Sequence, residues 1–250
     1  MVRPLRGYVP GVMAPPRSVL AMSLAACVSG TACLDGRDAQ GPSMAWPPVL
    51  FRLPLQDTAL FTPPIGVDHD PAVYDGVEQA ICTNYNGDAF PGCYDEHDGS
   101  DYLLDGDWEQ MDAGSAAIVA AADGLVVDTE DGHYDRCHGD VSTFESSCDG
   151  HSGIANYVVV EHDTPYGPVT TRYWHMMTDS VAVAVGDRVD CGDALGLVGS
   201  SGNSSQPHLH FEVDFDGSRV DPYAGLYSQS ESWWADQGES WELPGTACDG

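Results

Sequence analysis

The stretch QPHLHFEVDF, residues 206–215, most constrains the fold, because apolar and polar side chains alternate along it. Alternation with a period of two is typical of a β-strand that has one face in a core. His208, His210 and Glu212 then share one face, and the apolar residues between them share the other. The pattern predicts a rigid strand that projects two imidazoles from the same side. Taken alone, such a pair is also compatible with incidental surface histidines.

Short runs of the same kind follow one another from residue 115 onwards. The segments ANYVVVEHDT and VTTRYWHMM flank the turn sequence PYGP, which indicates a β-hairpin. No stretch has a convincing 3.6-residue period of helical length. We therefore predict a mainly β fold, with an antiparallel sheet core, long loops and few helices.

A second group of metal-ligand residue types lies upstream, in the stretch HDGSD. There His97 precedes Asp101 by four residues, across a glycine. Imidazole nitrogens and carboxylate oxygens both bind zinc, and a site with three protein ligands keeps a fourth position for water. His97, Asp101 and one histidine of the His208–His210 pair would supply such a set. The other histidine would stand close enough for proton transfer or oxyanion stabilisation, and His175 on a predicted strand is a further candidate.

Several stretches follow one another in the order of one family's motifs. The segment HDGSD resembles a His-x-Gly-x-Asp metal motif, and RYWHM matches a Tyr-x-His motif. The segments GSAAIVAAADGLVV, VAVGDRVDCGDALGLVGSSGNSSQPHLHFEV and VDPYAGL also fit that order. Residues 94–226 thus resemble the lysostaphin-type, LytM-like zinc endopeptidases, which cut peptide cross-links in bacterial peptidoglycan.

The resemblance implies roles for individual residues. His97, Asp101 and His210 would bind one zinc ion, and His175 and His208 would be the catalytic histidines. The implied reaction is amide hydrolysis in a peptidoglycan peptide, because a bound zinc ion activates water and polarises the scissile carbonyl. The resemblance leaves open which histidine assists proton transfer and which stabilises the oxyanion.

The same reading divides the chain into segments. A lead-in over 61–93 would precede the LytM-like domain over 94–226, and a Trp-rich tail would follow over 227–250. Two stretches, 102–113 and 128–156, are longer than the family's usual links, so we interpret them as insertions. Both would reshape the substrate groove, and the type of cross-link therefore does not transfer from the family.

The N-terminal residues 1–27 have the pattern of an export leader. Arginines precede a short apolar run that ends in LAAC, which resembles a bacterial lipobox. Cys27 would then be a lipid anchor, although a plain cleaved signal with an incidental cysteine remains an alternative. Residues 28–60 are rich in Pro, Gly, Ser and Asp, which predicts a flexible tether. We expect an exported protein, either held in the cell envelope (lipid-anchored, outer membrane or periplasm) or secreted.

The cysteines fit export, because disulfides persist in oxidising compartments. The chain has eight cysteines, and none forms a Cys-x-x-Cys pair. Six cysteines allow about 15 pairings. Among these we favour Cys82–Cys93 and Cys137–Cys148, which would each close a short loop, and Cys191–Cys248, which would tie the C-terminal tail to the body. The sequence leaves the other pairings open.

The charge excludes one class of partner. With 39 acidic and 9 basic residues the formal charge is −30, so we expect no nucleic-acid binding. Two alternative functions remain beside the peptidoglycan endopeptidase. One is a non-catalytic LytM-like module that binds an amidase or the cell wall, and the other is a zinc endopeptidase acting on extracellular proteins. The sequence does not define the oligomeric state.

Overall fold

A computed structural model of the chain describes residues 47–73, 80–140 and 145–248. The predicted leader, its Cys27 and the predicted tether up to residue 46 lie outside the described residues. Within the described ranges, no helix has both the length and the apolar character needed to cross a bilayer.

The regular elements of the described residues are short. They are a 3-10 turn, Thr58–Leu60, followed by β1 (Ser100–Leu103), α1 (Asp107–Asp112), β2 (Ala117–Val119), β3 (Gly124–Glu130), β4 (His138–Asp140), β5 (Glu145–Ser147), β6 (Tyr157–His162), β7 (Val169–Trp174), β8 (Arg188–Val189), β9 (Ala194–Leu197), β10 (His208–Phe215) and β11 (Ser218–Val220).

The strands of the described residues form one seven-stranded sheet and two small two-stranded sheets, with antiparallel pairing in all three. The large sheet has the order β1-β10-β7-β6-β3-β8, and β11 also pairs with β10. Strands β6 and β7 form the hairpin predicted around PYGP. The prediction of a mainly β fold with an antiparallel sheet core, long loops and few helices is confirmed.

The central strand β10 has the two faces that its alternation predicts. Leu209, Phe211 and Val213 are each 0% exposed and lie in the main apolar core. Burying a large apolar side chain stabilises a fold by roughly 1.5–3 kcal/mol. The polar face of β10 is therefore held rigidly in place by the packing of its opposite face.

The predicted tether is wrong over its last part. Phe51, Leu53 and Leu55 are fully buried core residues. Phe51 stacks on Trp233 of the predicted tail with ring centroids 6.2 Å apart. Proline and glycine predict irregular backbone, but the alternating apolar side chains at 51, 53 and 55 provide enough surface to pack against the core.

The predicted lead-in packs against the strand next to β10. Ile65 and Asp101 form an antiparallel bridge, and so do Phe61 and Leu104. The Cys82–Cys93 disulfide closes a loop at the end of this segment. The other two predicted disulfides, Cys137–Cys148 and Cys191–Cys248, are present as well, so all three pairings are confirmed.

The two predicted insertions have different positions. The first contains the short helix α1, and Asp112 at its end forms an ion pair with Arg136. The second contains the hairpin of β4 and β5, closed by Cys137–Cys148. Glu145 and Ser146 from this hairpin line a large cleft, to which the first insertion contributes only Leu103, from β1.

Candidate metal centre and active site

The three strands β1, β10 and β7 bring the predicted site residues together. Asp101 on β1 lies directly opposite His210 on β10. On the other side, His210 lies opposite Trp174, the last residue of β7, and His175 follows at once. Because antiparallel register fixes which side chains are neighbours across strands, residues far apart in sequence meet at one edge of the sheet.

Three of the predicted residues lie within ligand distance of one another. His97 Nε2 is 3.2 Å from Asp101 Oδ1 and 3.2 Å from His210 Nδ1, and His210 Nδ1 is 2.7 Å from Asp101 Oδ1. Ligand atoms about 2.0–2.1 Å from a tetrahedral zinc ion lie about 3.3 Å apart. The donor set and spacing therefore fit one zinc ion, and among the described residues this is the one such group of His, Cys, Asp or Glu.

The hydrogen bonds of both candidate ligand histidines leave one ring nitrogen facing the other two candidate ligands. His97 Nδ1 lies 2.7 Å from the Gly66 carbonyl oxygen, which can only accept, so Nδ1 carries the proton and Nε2 is free. His210 Nε2 lies 2.9 Å from Glu212 Oε1, so Nε2 carries a proton and Nδ1 faces the other ligands. Carboxylate and carbonyl partners of this kind orient metal-binding histidines.

Opposite charges determine the ionisation of the metal-free site. Burial alone would raise the pKa of Asp101, but the neighbouring histidines outweigh burial and hold that pKa well below its usual range. Burial would lower the pKa of His210, but its hydrogen bonds to Asp101 and Glu212 raise it to about 9. Burial would likewise raise the pKa of Glu212, but His210 and Arg219 lower it to about 2. His210 therefore carries a proton between two carboxylates near neutral pH.

His208 lies beside the three ligand residues. Its Nδ1 is 2.7 Å from the Gln206 carbonyl oxygen, so Nδ1 carries a proton and Nε2 is the free nitrogen. That Nε2 is 3.5 Å from Asp101 Oδ1. His208 can therefore exchange a proton with a group bound next to the ligand set.

His175 has strained backbone, with a φ of 65° in the left-handed region. Its Nδ1 lies 2.6 Å from the Ser201 carbonyl oxygen, which again leaves Nε2 free. Its ring centroid is 4.6 Å from that of His208. Burial lowers the pKa of His175 well below its usual range, and the charges of His208 and His210 lower it further. His175 is thus an uncharged imidazole at neutral pH.

A cleft of about 400 Å³ opens beside these residues. Asp101, His175 and His208 lie in its wall, and the described lining residues include no arginine. The acidic members of the lining are Asp101 and three others outside the ligand set: Asp95, Glu96 and Glu145. The cleft is therefore large enough for a peptide segment, and its wall carries negative charge.

Tyr94 and Tyr102 flank the motif HDGSD, and of these two only Tyr94 contacts the candidate site. Its hydroxyl donates to Asp101 Oδ2 at 3.1 Å, and its ring stacks on His97 with centroids 4.1 Å apart. Tyr102 is fully buried, and its hydroxyl lies 3.0 Å from that of Tyr223 in the core. The motif positions alone did not distinguish the two.

Two glycines contribute to the site: Gly99 leaves space for the ring of His210, and Gly66 provides a backbone hydrogen bond. A Cβ at Gly99 would lie 2.7 Å from His210 Nε2 and Cε1, which is closer than atoms can approach. Gly66 supplies the carbonyl that fixes His97. The motif HDGSD indicated the need for a glycine at position 99, but no local sequence pattern indicated the role of Gly66.

The remaining histidines lie outside the metal centre. His69 pairs with Asp221 at 2.8 Å, and His133 pairs with Glu130 at 2.8 Å. His162 is buried in the core between Asp123 and Thr171, and burial lowers its pKa to about 4.

Two histidines and one carboxylate within ligand distance, with two further histidines beside them, form a candidate metal site of the kind that metal-dependent hydrolases use. Residues 105–222, slightly less than half of the chain, match Peptidase family M23, which includes the LytM/lysostaphin-type peptidases. The match contains His175, His208 and His210, whereas His97 and Asp101 precede it.

Curated relatives include peptidoglycan endopeptidases. The peptidoglycan DD-endopeptidase ShyB of Vibrio cholerae is 41% identical over 63 residues, which is 25% of this chain and 14% of the relative. The DD-carboxypeptidase/endopeptidase Mpg of Neisseria meningitidis is 34% identical over 85 residues, 34% of this chain and 18% of the relative. The matched segments thus span less than a fifth of either relative.

Solved structures of similar proteins include two peptidase domains. The catalytic domain of lysostaphin from Staphylococcus simulans has a TM-score of 0.34 and 24% identity, covering 51% of this chain and 77% of that domain. The catalytic domain of the M23 protein EnpA from Enterococcus faecalis has a TM-score of 0.35 and 24% identity, covering 60% of this chain and 94% of that chain.

Proposed function

We propose that this protein is an exported zinc endopeptidase that hydrolyses peptide cross-links in bacterial peptidoglycan. The observation that carries the proposal is one cluster of five polar residues beside the cleft, three of them in its wall: His97, Asp101, His175, His208 and His210. A module that only binds would have no need of a closed ligand set with two spare imidazoles beside it. The match of residues 105–222 to a peptidase family and the peptidoglycan endopeptidases among the relatives support the substrate class.

Three side chains would hold the zinc ion. They are His97 through Nε2, Asp101 through Oδ1 and His210 through Nδ1. When bound, zinc supplies Lewis acidity, which acidifies a water molecule and polarises a carbonyl oxygen. Glu212 and the Gly66 carbonyl keep the two imidazoles in the required tautomers.

The two remaining histidines would move the protons. His175 is uncharged and has a free Nε2, so it is suited to accept a proton from the attacking water. His208, closer to the ligand set, would act as imidazolium, with a proton on each nitrogen, and would donate from Nε2 to the scissile carbonyl oxygen as negative charge builds there or to the amine as it leaves. The proton that His175 takes from the water would then replace the one that His208 loses, since the two rings are 4.6 Å apart. The carbonyls of Ser201 and Gln206 each accept from Nδ1, which leaves Nε2 of both rings for proton transfer.

The cellular part of the proposal rests on separate features. The leader pattern of residues 1–27 supports export, with Cys27 as a candidate lipid anchor. The three disulfides support an oxidising compartment. We further propose the segment plan given above, with the peptidase domain over 94–226 and with the packed N-terminal segment beginning by Phe51 rather than after residue 60.

The decisive test combines zinc content with peptide release from purified sacculi. We expect about one zinc ion per chain in the wild type, loss of zinc in His210→Ala, and retained zinc without peptide release in His208→Ala. His138→Ala, an exposed histidine on the β4 hairpin, is the matched control and should behave as the wild type. Zinc binding without release from sacculi, but with cleavage of extracellular proteins, would favour the protein-directed alternative. If the wild type binds no zinc, the remaining candidate function is the non-catalytic LytM-like module.

A further inference from the structure

The segment 65–69, here called the strap, runs antiparallel to the strand that carries Asp101. The Ile65 and Asp101 backbones exchange two hydrogen bonds, each of 2.9 Å. The strap, His97 and Asp101 all precede the residues 105–222 that match the family. The contacts that hold His97 and Asp101 in place are therefore those of this chain's own residues.

The strap binds His97 at both its ring and its backbone. The Gly66 carbonyl accepts from His97 Nδ1 at 2.7 Å, and the Asp68 amide donates to the His97 carbonyl at 2.8 Å. His97 is 2% exposed, so few other conformations are open to its ring once these bonds form.

The Asp68 carboxylate joins three pieces of backbone. Oδ1 accepts from the amides of Asp70 at 2.9 Å and Thr83 at 3.0 Å, and Oδ2 accepts from the Glu96 amide at 3.2 Å. Hydrogen bonds to an ionised carboxylate are stronger than those between neutral groups. This one side chain thus ties the strap to the residue that immediately precedes a metal ligand.

Glu96 has a φ of 59°, in the left-handed region that favours glycine. A non-glycine residue stays in such a conformation only when its surroundings hold it there. The bond from the Glu96 amide to Asp68 is one contact that does so. Release of Glu96 to an ordinary conformation would turn the chain at His97 and displace its ring from Asp101 and His210.

We propose that Asp68 is a positioning residue of the metal centre, which holds Glu96 in its left-handed conformation so that His97 Nε2 faces the other two ligands. The inference rests on the proposed function in that the ion held there is zinc. Asp68 itself is not a ligand, and it acts through Glu96 and His97.

The test measures zinc affinity of the full chain by competition with a chromophoric chelator, without any peptide substrate. We expect Asp68→Asn to weaken zinc binding by about 10- to 100-fold, the usual effect of losing an outer partner of a metal ligand. Asp70→Asn is the matched control, because Asp70 directly follows the strap and its carboxylate accepts from the Ala72 amide instead. Its zinc affinity should stay within about twofold of the wild type. The absorption spectrum of the Co²⁺-loaded protein should change only in Asp68→Asn.

A double-mutant cycle tests whether the effect passes through Glu96. Glycine adopts a φ near 59° without support, so Glu96→Gly should make Asp68 dispensable. We expect Glu96→Gly and the Asp68→Asn/Glu96→Gly double variant to bind zinc within about threefold of each other. This comparison also decides the matter if Asp68→Asn alone does not fold.

The outcomes separate the two proposals. If the wild type binds zinc tightly and Asp68→Asn binds it equally well, the positioning role is wrong and the proposed function stands. This holds even if the metal-free variant has a lower melting temperature. A double variant that binds zinc at least tenfold more weakly than Glu96→Gly would also overturn the positioning role alone. A wild type that binds no zinc would overturn the proposed function, and the positioning role with it.

Discussion

Asp101 and His210 face each other across two antiparallel strands, with Asp101 Oδ1 2.7 Å from His210 Nδ1. On the other side of the same ring, Glu212 Oε1 is 2.9 Å from Nε2. The imidazole is therefore held between two carboxylates. In the metal-free protein this arrangement stabilises imidazolium, whereas a metal requires the deprotonated Nδ1.

Zinc binding is accordingly expected to release a proton from His210. The pKa of His210 is raised to about 9 in the metal-free protein. Below that pH the ring must lose its proton to bind zinc, so log affinity should rise with pH by about one unit per pH unit and level off above about 9. Calorimetric titrations at pH 7 in buffers of different ionisation enthalpy count the released protons directly.

The matched variant for this prediction is Glu212→Gln. It keeps an oxygen that accepts from Nε2 but removes one negative charge, so the pKa of His210 falls and the affinity should level off at a lower pH. Asp214→Asn serves as control, since Asp214 contacts Arg172 and Arg219 but not the imidazole. Equal pH profiles for all three proteins would contradict the prediction.

The Tyr94 hydroxyl is expected to stabilise the ligand Asp101. It donates to Oδ2, the oxygen that faces away from the other ligands, at 3.1 Å. Tyr94→Phe keeps the ring stacked on His97 but removes this bond to a charged group, which is worth roughly 1.5–3 kcal/mol. We expect zinc affinity to fall by about tenfold or more, measured by chelator competition.

Tyr102→Phe supplies the contrast to Tyr94→Phe. The Tyr102 hydroxyl contacts Tyr223 in the core, away from the ligands. This variant should lose about 1 kcal/mol of unfolding free energy and keep its zinc affinity. If both tyrosine variants changed only stability, Tyr94 would have no role at the metal centre.

The negative wall of the cleft is expected to select the charge of the substrate. Glu96 and Glu145 line the cleft, and no arginine occurs among its described lining residues. Charge complementarity affects association and discriminates against like charges. In the Glu96→Gln/Glu145→Gln variant, kcat/KM should fall several-fold for a peptide with a free ammonium group near the scissile bond. It should rise for the carboxylate analogue.

Salt and a distant variant provide the controls for the charge prediction. Added salt should reduce the difference between the two peptides in the wild type, because it screens exposed charges. Glu242→Gln, an exposed carboxylate outside this cleft, should leave the ratio unchanged. A ratio that is insensitive to both salt and the double substitution would show that the wall does not select charge.

The parts of the site that the sequence predicted are those whose signal is local. His208 and His210 lie on one face because β-strands alternate, and Leu209 and Phe211 are buried for the same reason. The hairpin around PYGP and the two disulfides whose cysteines are 11 residues apart, Cys82–Cys93 and Cys137–Cys148, are also local. The family resemblance then placed His97, Asp101 and His175 in the same centre.

The parts that the sequence did not predict depend on contacts between distant segments. Phe51 packs on Trp233, although composition alone indicated a tether at residue 51. Gly66 and Asp68 hold His97 through backbone hydrogen bonds, which the sequence around neither residue indicates. Such contacts become visible only when the lead-in is paired with β1.

A last prediction concerns His162, a buried histidine outside the site. Its Nδ1 lies 2.8 Å from the Asp123 carbonyl oxygen and its Nε2 lies 2.8 Å from Thr171 Oγ1. Burial lowers its pKa to about 4, from 6.5 in the unfolded chain. Folding therefore opposes protonation of this ring. The stability it contributes is complete above pH 6.5 and is lost progressively as the pH falls towards about 4.

The expected size of this loss is about 3 kcal/mol of unfolding free energy. Urea unfolding of the wild type and His162→Gln, at pH 7.5 and pH 4.5 with a chelator present, isolates the contribution of this ring from that of the metal centre. The wild type should lose more stability than the variant over this interval, even though the variant is less stable at pH 7.5. His151→Gln, an exposed histidine, should follow the wild type. Parallel losses in the wild type and His162→Gln would mean that the ring takes up its proton in the folded core without cost, contrary to its burial.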